Sequence, residues 1–213
     1  MPKEPRNHAP ERLPATWEVS LSRLGVDSTD IFYLHAPDRT TSYDETLECV
    51  DKMYKAGKFK QLGLSNYASW EVAEIVGICE RRGFLKPKVY EGMYNTIKEP
   101  AECRFSTSNP LGKLYMEWYL KQSNIDALAI LEPVAKKHGI PLFELALRWC
   151  VHHSKLQMPA KGGNDGVILG ISSYEQLPQN VEACEKGPLP DEVVEALDKA
   201  WARTRGDAPT YWR

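Results

Sequence analysis

The sequence predicts an α/β fold built on a parallel sheet, and three observations support this prediction. Short runs rich in β-forming residues alternate with segments in which apolar residues recur at helical spacing. The apolar run at residues 30–35 is typical of a strand buried on both faces. That run ends in His35, and parallel barrels carry their functional side chains at the carboxyl ends of strands. The candidate site is therefore expected at the strand ends.

The first elements follow from local signals. A helix is predicted over residues 11–24, where large apolar residues recur every three or four positions. The strand at 30–35 comes next. Ser42 and Glu45 then form a capping box, which predicts the start of a second helix that ends at Gly57.

The alternation continues through two more strands. Residues 58–65 form the second predicted strand, and Ser69 is expected to cap a helix that ends at Gly83. Residues 88–94 form the third strand. Residues 96–113 carry turn formers without periodicity. Two helices are predicted next, at residues 114–138 and 142–153, followed by a loop at 159–166 and a strand at 167–171. A second capping box at residues 173–176 begins another helix, and a last amphipathic helix is predicted at 190–203.

Composition excludes several classes of protein. The 213 residues include 27 basic and 29 acidic side chains, for a net charge of −2, so the basic excess of a nucleic-acid binder is lacking. With 42% hydrophobic residues the chain is long enough to bury a core, and we expect a single domain over residues 1–213 with a polar extension at 1–10. The polar, proline-containing start predicts no signal peptide, and no apolar run is long enough for a membrane span.

The cysteines and histidines indicate neither a disulfide framework nor a metal site. The five cysteines are odd in number and share no metal-ligand spacing, which is typical of reduced thiols in a cytoplasmic protein. His152 and His153 are neighbours on a predicted helix and therefore face different ways, which disfavours a shared metal. The chain also lacks a GxGxxG motif, a Walker loop and a GxSxG elbow.

Three groups of polar residues are candidates for function, each with a structural alternative. His35 suits hydrogen bonding or proton transfer at a strand end, or a bond to the backbone only. Ser65 and Asn66 can hold an amide group between them, or form an Asx turn before the next helix. Residues 170–180, which include Ser172 and Ser173, suit a phosphate at a helix N-terminus, or a plain capping box.

Four motifs in this order resemble the aldo-keto reductase superfamily. They are TDIFYLHAPD, KFKQLGLSNYASWEVAEI, KPKVYEGMYN and GVILGISSYEQLPQN. The stretch LEPVAKKHGIPLFELALRWCVHHSKLQ and the tail APTYWR are similar to its aflatoxin-aldehyde-reductase branch, especially the fungal members. The resemblance covers nearly the whole chain apart from the polar start and residues near 96–112.

The resemblance implies a (β/α)8 barrel of the TIM type, NADPH as cofactor and a small carbonyl compound as substrate. Such enzymes reduce aldehydes and ketones to alcohols, with hydride from the nicotinamide and a proton from a tyrosine. The resemblance to fungal members also implies a role in secondary metabolism. The composition and spacing described above indicate no nucleic-acid, membrane or metal partner.

Residue by residue, the resemblance assigns His35 to orienting the substrate carbonyl, and Ser65 and Asn66 to the nicotinamide carboxamide. Glu91 occupies the position where the family usually has a glutamine that contacts this carboxamide, which is a departure because a carboxylate accepts but does not donate. Arg104 matches a weaker position facing the cofactor. The adenosine 2′-phosphate and adenine are assigned to Gly170, Ser172, Ser173, Gln176, Gln179 and Asn180.

The family's catalytic aspartate, tyrosine and lysine have no expected counterpart, because they belong to the first three β/α units and the first predicted helix here follows those units. Residues 96–113 are expected to compress much of the seventh unit. The expected fold is therefore a partial barrel. Two functions remain open: an active NADPH-dependent reductase, or a catalytically impaired relic or interaction subunit that retains part of the cofactor site. An open sheet of this kind is also expected to self-associate, as in a homo-oligomer.

Overall fold

A computed structural model describes residues 4–93, 117–171 and 173–212. The described residues belong to two compact units. Residues up to 93, together with the tail from 210, form unit 1, and residues between 94 and 209 form unit 2. The prediction of a single domain stays a prediction, and Arg104 lies outside the described residues.

Unit 1 is a parallel three-stranded sheet whose strands are joined by helices. The strand order is β1-β2-β3, so each strand pairs with the next one along the chain. The predicted alternation of helices and strands is confirmed here. In chain order the elements are α1 (Leu13–Leu24), β1 (Thr29–Leu34), α2 (Tyr43–Lys55), β2 (Phe59–Ser65), α3 (Ser69–Arg82) and β3 (Pro87–Glu91).

The helix ends of unit 1 follow mostly from local sequence. Ser42 caps α2, and its hydroxyl accepts a hydrogen bond from the Glu45 backbone N–H at 3.2 Å, as predicted. Gly25 and Gly83 end α1 and α3 with left-handed backbone angles, φ 69° and 68°. The predicted cap at Ser69 is wrong, because Ser69 is the first residue of α3 and its N–H contacts the Tyr211 hydroxyl instead.

One face of the sheet forms the core of unit 1. Phe32, Leu34, Leu62 and Leu64 are almost fully buried in one cluster with residues of all three helices. The Phe32 ring contacts Trp17 edge-on, with centroids 4.7 Å apart. Each of these buried side chains contributes roughly 1.5–3 kcal/mol. This packing sets the register of the sheet, and side chains alternate along a strand, so the intervening residues point to the opposite face.

The polar segment that begins the described chain is hydrogen-bonded to the loop that follows β1 in the same unit. Ala9 is fully buried. The His8 backbone N–H donates to Asp38 at 3.0 Å, and the Arg6 backbone N–H donates to Thr40 at 2.7 Å. Backbone groups of this segment are therefore satisfied by the loop that follows β1.

Unit 2 is helical wherever it has regular secondary structure in its described part. Its core is formed by α4 and α7, with small residues such as Ala127, Ala135 and Ala200 in close contact with larger apolar side chains. The elements are α4 (Gln122–His138), α5 (Leu142–Arg148), a π-helical continuation (Trp149–His153), a short 3-10 turn (Pro159–Lys161), α6 (Gln176–Glu185) and α7 (Asp191–Thr204).

Two sequence predictions for unit 2 are wrong. Residues 167–171 form no strand, and Ile168 is 74% exposed. A strand needs a neighbour to satisfy its backbone groups, and the described residues of unit 2 contain no other strand. The capping box predicted at residues 173–176 is also not formed, because α6 begins only at Gln176 and its N-cap residue, Glu175, makes no side-chain cap. In the described ranges, no helix combines the length and apolar character needed to cross a bilayer.

Candidate functional site

The carboxyl ends of the three strands bring the candidate residues of unit 1 to one edge of the sheet. Leu34 pairs with Leu64 across β1 and β2, so His35 comes just beyond the last pair, level with Ser65. Ser65 pairs in turn with Glu91 on β3. His35 is exposed, Ser65 is buried and Glu91 is half-buried. Paired residues of adjacent strands share a face, so the Ser65 and Glu91 side chains lie side by side.

Asn66 connects two of these strand ends. Its side-chain Nδ2 donates to the His35 carbonyl oxygen at 2.7 Å and to Ser65 Oγ at 3.0 Å. A carbonyl oxygen can only accept, so the Asn66 amide must present its NH2 group there. Asn66 itself has a left-handed backbone, φ 63°, which asparagine tolerates better than most residues. The predicted alternative, an Asx turn, is not formed, because the Ala68 N–H donates to Glu71 instead of to the Asn66 side chain.

The bonds of Asn66 determine what Ser65 and Asn66 can offer to a ligand. Ser65 Oγ accepts from Asn66, so its O–H remains available to donate, and Asn66 Oδ1 remains available to accept. Within the described part of the chain, neither group has another partner. One donor beside one acceptor is the complement of a carboxamide, which accepts through oxygen and donates through nitrogen. The pair therefore fits the carboxamide of a nicotinamide.

Glu71, in the first turn of α3, is hydrogen-bonded to the loops that follow β1 and β2. Its carboxylate, only 6% exposed, accepts from Arg39 Nε at 2.8 Å, Tyr43 Oη at 2.8 Å and the Ala68 backbone N–H at 2.8 Å. We call these four residues the Glu71 clamp. Burial by itself raises the pKa of Glu71, but the bonds from Arg39, Ala68 and Tyr43 outweigh burial and lower it. The clamp joins the loop after β1 to the loop after β2.

Asp38 is a second buried carboxylate in the loop that carries His35. It accepts from the His8 and Thr40 backbone N–H groups and from the Thr40 and Thr41 hydroxyls, at 2.5 to 3.1 Å. Burial opposes the charge, but these donors lower the pKa of Asp38 to about 2. Asp38 is therefore ionised at neutral pH and fixes the shape of the loop.

Tyr33 lies on the face of the sheet that carries Ser65. Its ring packs on Gly63 so closely that a Cβ on residue 63 would lie 2.4 Å from two ring carbons. Burial and the nearby Glu91 carboxylate both raise the pKa of the Tyr33 phenol. Glycine at position 63 is therefore required for the ring to cross β2 toward β3.

The second group of predicted residues belongs to unit 2. Gly170 and Ser173 are exposed in the loop before α6, and Ser172 lies outside the described residues. Gln176, Gln179 and Asn180 are on α6, where spacings of three and four residues place them on one helix face. The helix N-terminus contributes backbone N–H groups and a positive dipole end, which suit a phosphate.

Titratable clusters elsewhere do not indicate a metal. Among residues 4–93, 117–171 and 173–212, no three His, Cys, Asp or Glu side chains are grouped to hold a metal ion. His152 and His153 are each bonded to backbone groups, of Lys186 and Leu189 respectively. Each of the two histidine side chains therefore has a structural role, in holding the backbone at residues 186 and 189.

Comparison with known proteins relates the whole chain to one enzyme family. The model of the Aldo/keto reductase family matches residues 2–106 and 98–202. A fungal aldo-keto reductase of Pseudocercospora fijiensis is 36% identical over 250 residues, covering 99% of this chain and 83% of the relative. Aflatoxin B1 aldehyde reductase member 2 of Mus musculus is 37% identical over 255 residues, covering 100% of this chain and 69% of the relative.

A third relative agrees with these two. Aflatoxin B1 aldehyde reductase member 4 of Homo sapiens is 35% identical over 246 residues, covering 95% of this chain and 73% of the relative. The alignments extend over more positions than this chain has residues, so the relatives carry internal segments that this chain lacks.

Proposed function

This chain belongs to the aldo/keto reductase family, in the branch of the aflatoxin aldehyde reductases, and on that basis we propose that it reduces an aldehyde or ketone to an alcohol with NADPH. The family consists of oxidoreductases that act on carbonyl compounds, and the three parallel strands of unit 1 are part of its (β/α)8 barrel. The observation that carries the proposal is the row of His35, Ser65 and Glu91 across three strand ends.

Ser65 and Asn66 are proposed to hold the nicotinamide. The Ser65 hydroxyl donates to the carboxamide oxygen, and Asn66 Oδ1 accepts from the carboxamide nitrogen. Because Asn66 is also bonded to the His35 backbone, the two residues keep the ring in a constant position relative to His35. When bound, NADPH supplies the hydride that the carbonyl carbon receives.

His35 is proposed to orient the substrate. One imidazole N–H donates to the carbonyl oxygen, where negative charge develops as the carbon accepts hydride. The oxygen then takes one proton from solvent water, so that hydride and proton together complete the alcohol. Asp38 and the Glu71 clamp contribute indirectly, since they hold the loop from which the imidazole projects.

Unit 2 is proposed to supply the preference for NADPH. Gly170, Ser172 and Ser173 precede α6, and their backbone N–H groups and hydroxyls suit the 2′-phosphate. The side chains of α6 on the shared face, Gln176, Gln179 and Asn180, suit the adenine and its ribose. NADPH should therefore bind more tightly than NADH.

The aldehyde substrate and the metabolic setting are proposed from the relatives. Two carry the words aldehyde reductase in their names. The role in secondary metabolism is proposed only from the resemblance of the motifs to fungal members of the branch.

A spectrophotometric assay tests the proposal. Purified chain with NADPH and 4-nitrobenzaldehyde should consume NADPH, measured by absorbance at 340 nm, and His35→Ala should lower kcat/KM by roughly 10²–10³-fold. The matched control is His138→Gln, which removes a histidine that contacts Glu192 on the surface of unit 2. Its rate should equal that of the parent.

Two outcomes would contradict the proposal in different ways. Turnover no greater than that of His35→Ala would exclude reductase activity for this polypeptide. Tight NADPH binding without turnover would favour the alternative, a catalytically impaired subunit that retains the cofactor site.

A further inference from the structure

Glu91 is the charged member of the three strand-end residues that the resemblance assigns to the nicotinamide, since Ser65 and Asn66 are neutral. Its strand position is set by the pairing of Ser65 with Glu91, which places the carboxylate beside the hydroxyl that contacts the carboxamide. A carboxylate carries a negative charge, which the hydroxyl of Ser65 and the amide of Asn66 lack.

The charge on Glu91 is not neutralised by a close cation in the described residues. No lysine or arginine nitrogen there lies within 4.0 Å of its carboxylate. By contrast, Glu71 is paired with Arg39, and Asp38 accepts from several N–H and O–H donors. The groups that face Glu91 from the neighbouring strands are the phenol of Tyr33 and the hydroxyl of Ser65. Both are neutral, so neither of these two groups cancels the charge of Glu91.

The two forms of the cofactor differ in the charge of the nicotinamide ring. The ring carries one positive charge in NADP+ and none in NADPH. We propose that Glu91 makes this site select the oxidised cofactor, binding NADP+ more tightly relative to NADPH than a neutral residue would. This inference rests on the proposed function, because it requires the nicotinamide to lie against Ser65 and Asn66.

The expected size of the effect follows from Coulomb's law. A unit charge about 6 Å from the ring, with an effective dielectric constant of roughly 40, changes a binding constant about tenfold. The neutral ring of NADPH lacks this attraction. The dissociation constants of the two forms should therefore respond differently to loss of the Glu91 charge.

Titration calorimetry with NADP+ and with NADPH tests the proposal without any turnover. Glu91→Gln keeps the size of the side chain and removes its charge, and it breaks no ion pair of the described residues. The ratio of the NADP+ to the NADPH dissociation constant should rise about tenfold in this variant. Asp30→Asn is the matched control, because Asp30 is an exposed carboxylate at the opposite end of β1, paired with Lys60. Its ratio should equal that of the parent.

The outcomes separate this inference from the proposed function. A parent chain that binds both forms, with a ratio that Glu91→Gln leaves within twofold, overturns the inference alone. A parent chain that binds neither form overturns the proposed function and the inference with it. Glu91→Ala serves as a second variant with the same expected rise, and circular dichroism melting identifies any variant that fails to fold.

Discussion

Replacing Glu71 with glutamine should destabilise unit 1, because Glu71 is a buried carboxylate with partners on three segments. The variant keeps the volume but replaces one acceptor oxygen with an NH2 group that faces N–H and O–H donors. The Arg39 side chain is half-exposed and can bind water in place of Glu71, so the lost ion pair contributes at most about 1 kcal/mol to the destabilisation. Tyr43 and Ala68 donate to different oxygens of Glu71, so the oxygen that glutamine retains keeps one of these two bonds and the other is lost at about 1 kcal/mol.

The total expected loss is therefore about 1–2 kcal/mol, or roughly 3–6 °C in melting temperature for a chain of this size. Urea unfolding followed by circular dichroism measures it. Glu74→Gln is the control, because Glu74 is an exposed glutamate on the same helix and its replacement should change stability by less than about 0.5 kcal/mol.

The pH dependence provides an independent check on Glu71. Its pKa is lowered in the folded chain, so its contribution is fully present above the unfolded value of about 4.3 and is lost as pH falls through the folded value. The parent should therefore lose more stability than Glu71→Gln on acidification below about pH 4. A variant as stable as the parent, or an identical acid limb, would refute the role assigned to the clamp.

Two further variants test the loop and the sheet. Asp38→Asn should lower the free energy of unfolding by roughly 2 kcal/mol at neutral pH, and, because the pKa of Asp38 is lowered to about 2, this variant should lose less stability than the parent between about pH 4 and pH 2. Measuring the free energy of unfolding against pH tests both, and a variant whose curve runs parallel to that of the parent would contradict the prediction. Gly63→Ala should lower the free energy of unfolding by roughly 1–3 kcal/mol, because the new Cβ meets the Tyr33 ring. In urea unfolding, this loss should be smaller when Tyr33 is also replaced by alanine, and equal losses with and without the ring would show that the ring is not the obstacle.

Local patterns predicted the strands and helices of unit 1 but failed where an element depends on a neighbour. The run at residues 167–171 has strand-forming residues, and the described part of unit 2 offers it no strand to pair with. Ser69 is a good capping residue by type, but the side chain of Glu71 satisfies the backbone at Ala68 instead. A pattern shows what a segment prefers, and packing decides which preference is used.

The sequence by itself determined the family, the order of the elements and the residues that end the strands, because these follow from periodicity and from motifs read along the chain. The tertiary structure alone decided how those residues combine. The register aligned His35, Ser65 and Glu91, and the bond from Asn66 to the His35 carbonyl determined which atoms remain free to donate or accept. Buried Glu71 was absent from the sequence prediction, because a single glutamate on a helix indicates nothing until its side-chain donors, Arg39 and Tyr43, which are more than 25 residues away in the chain, are folded against it.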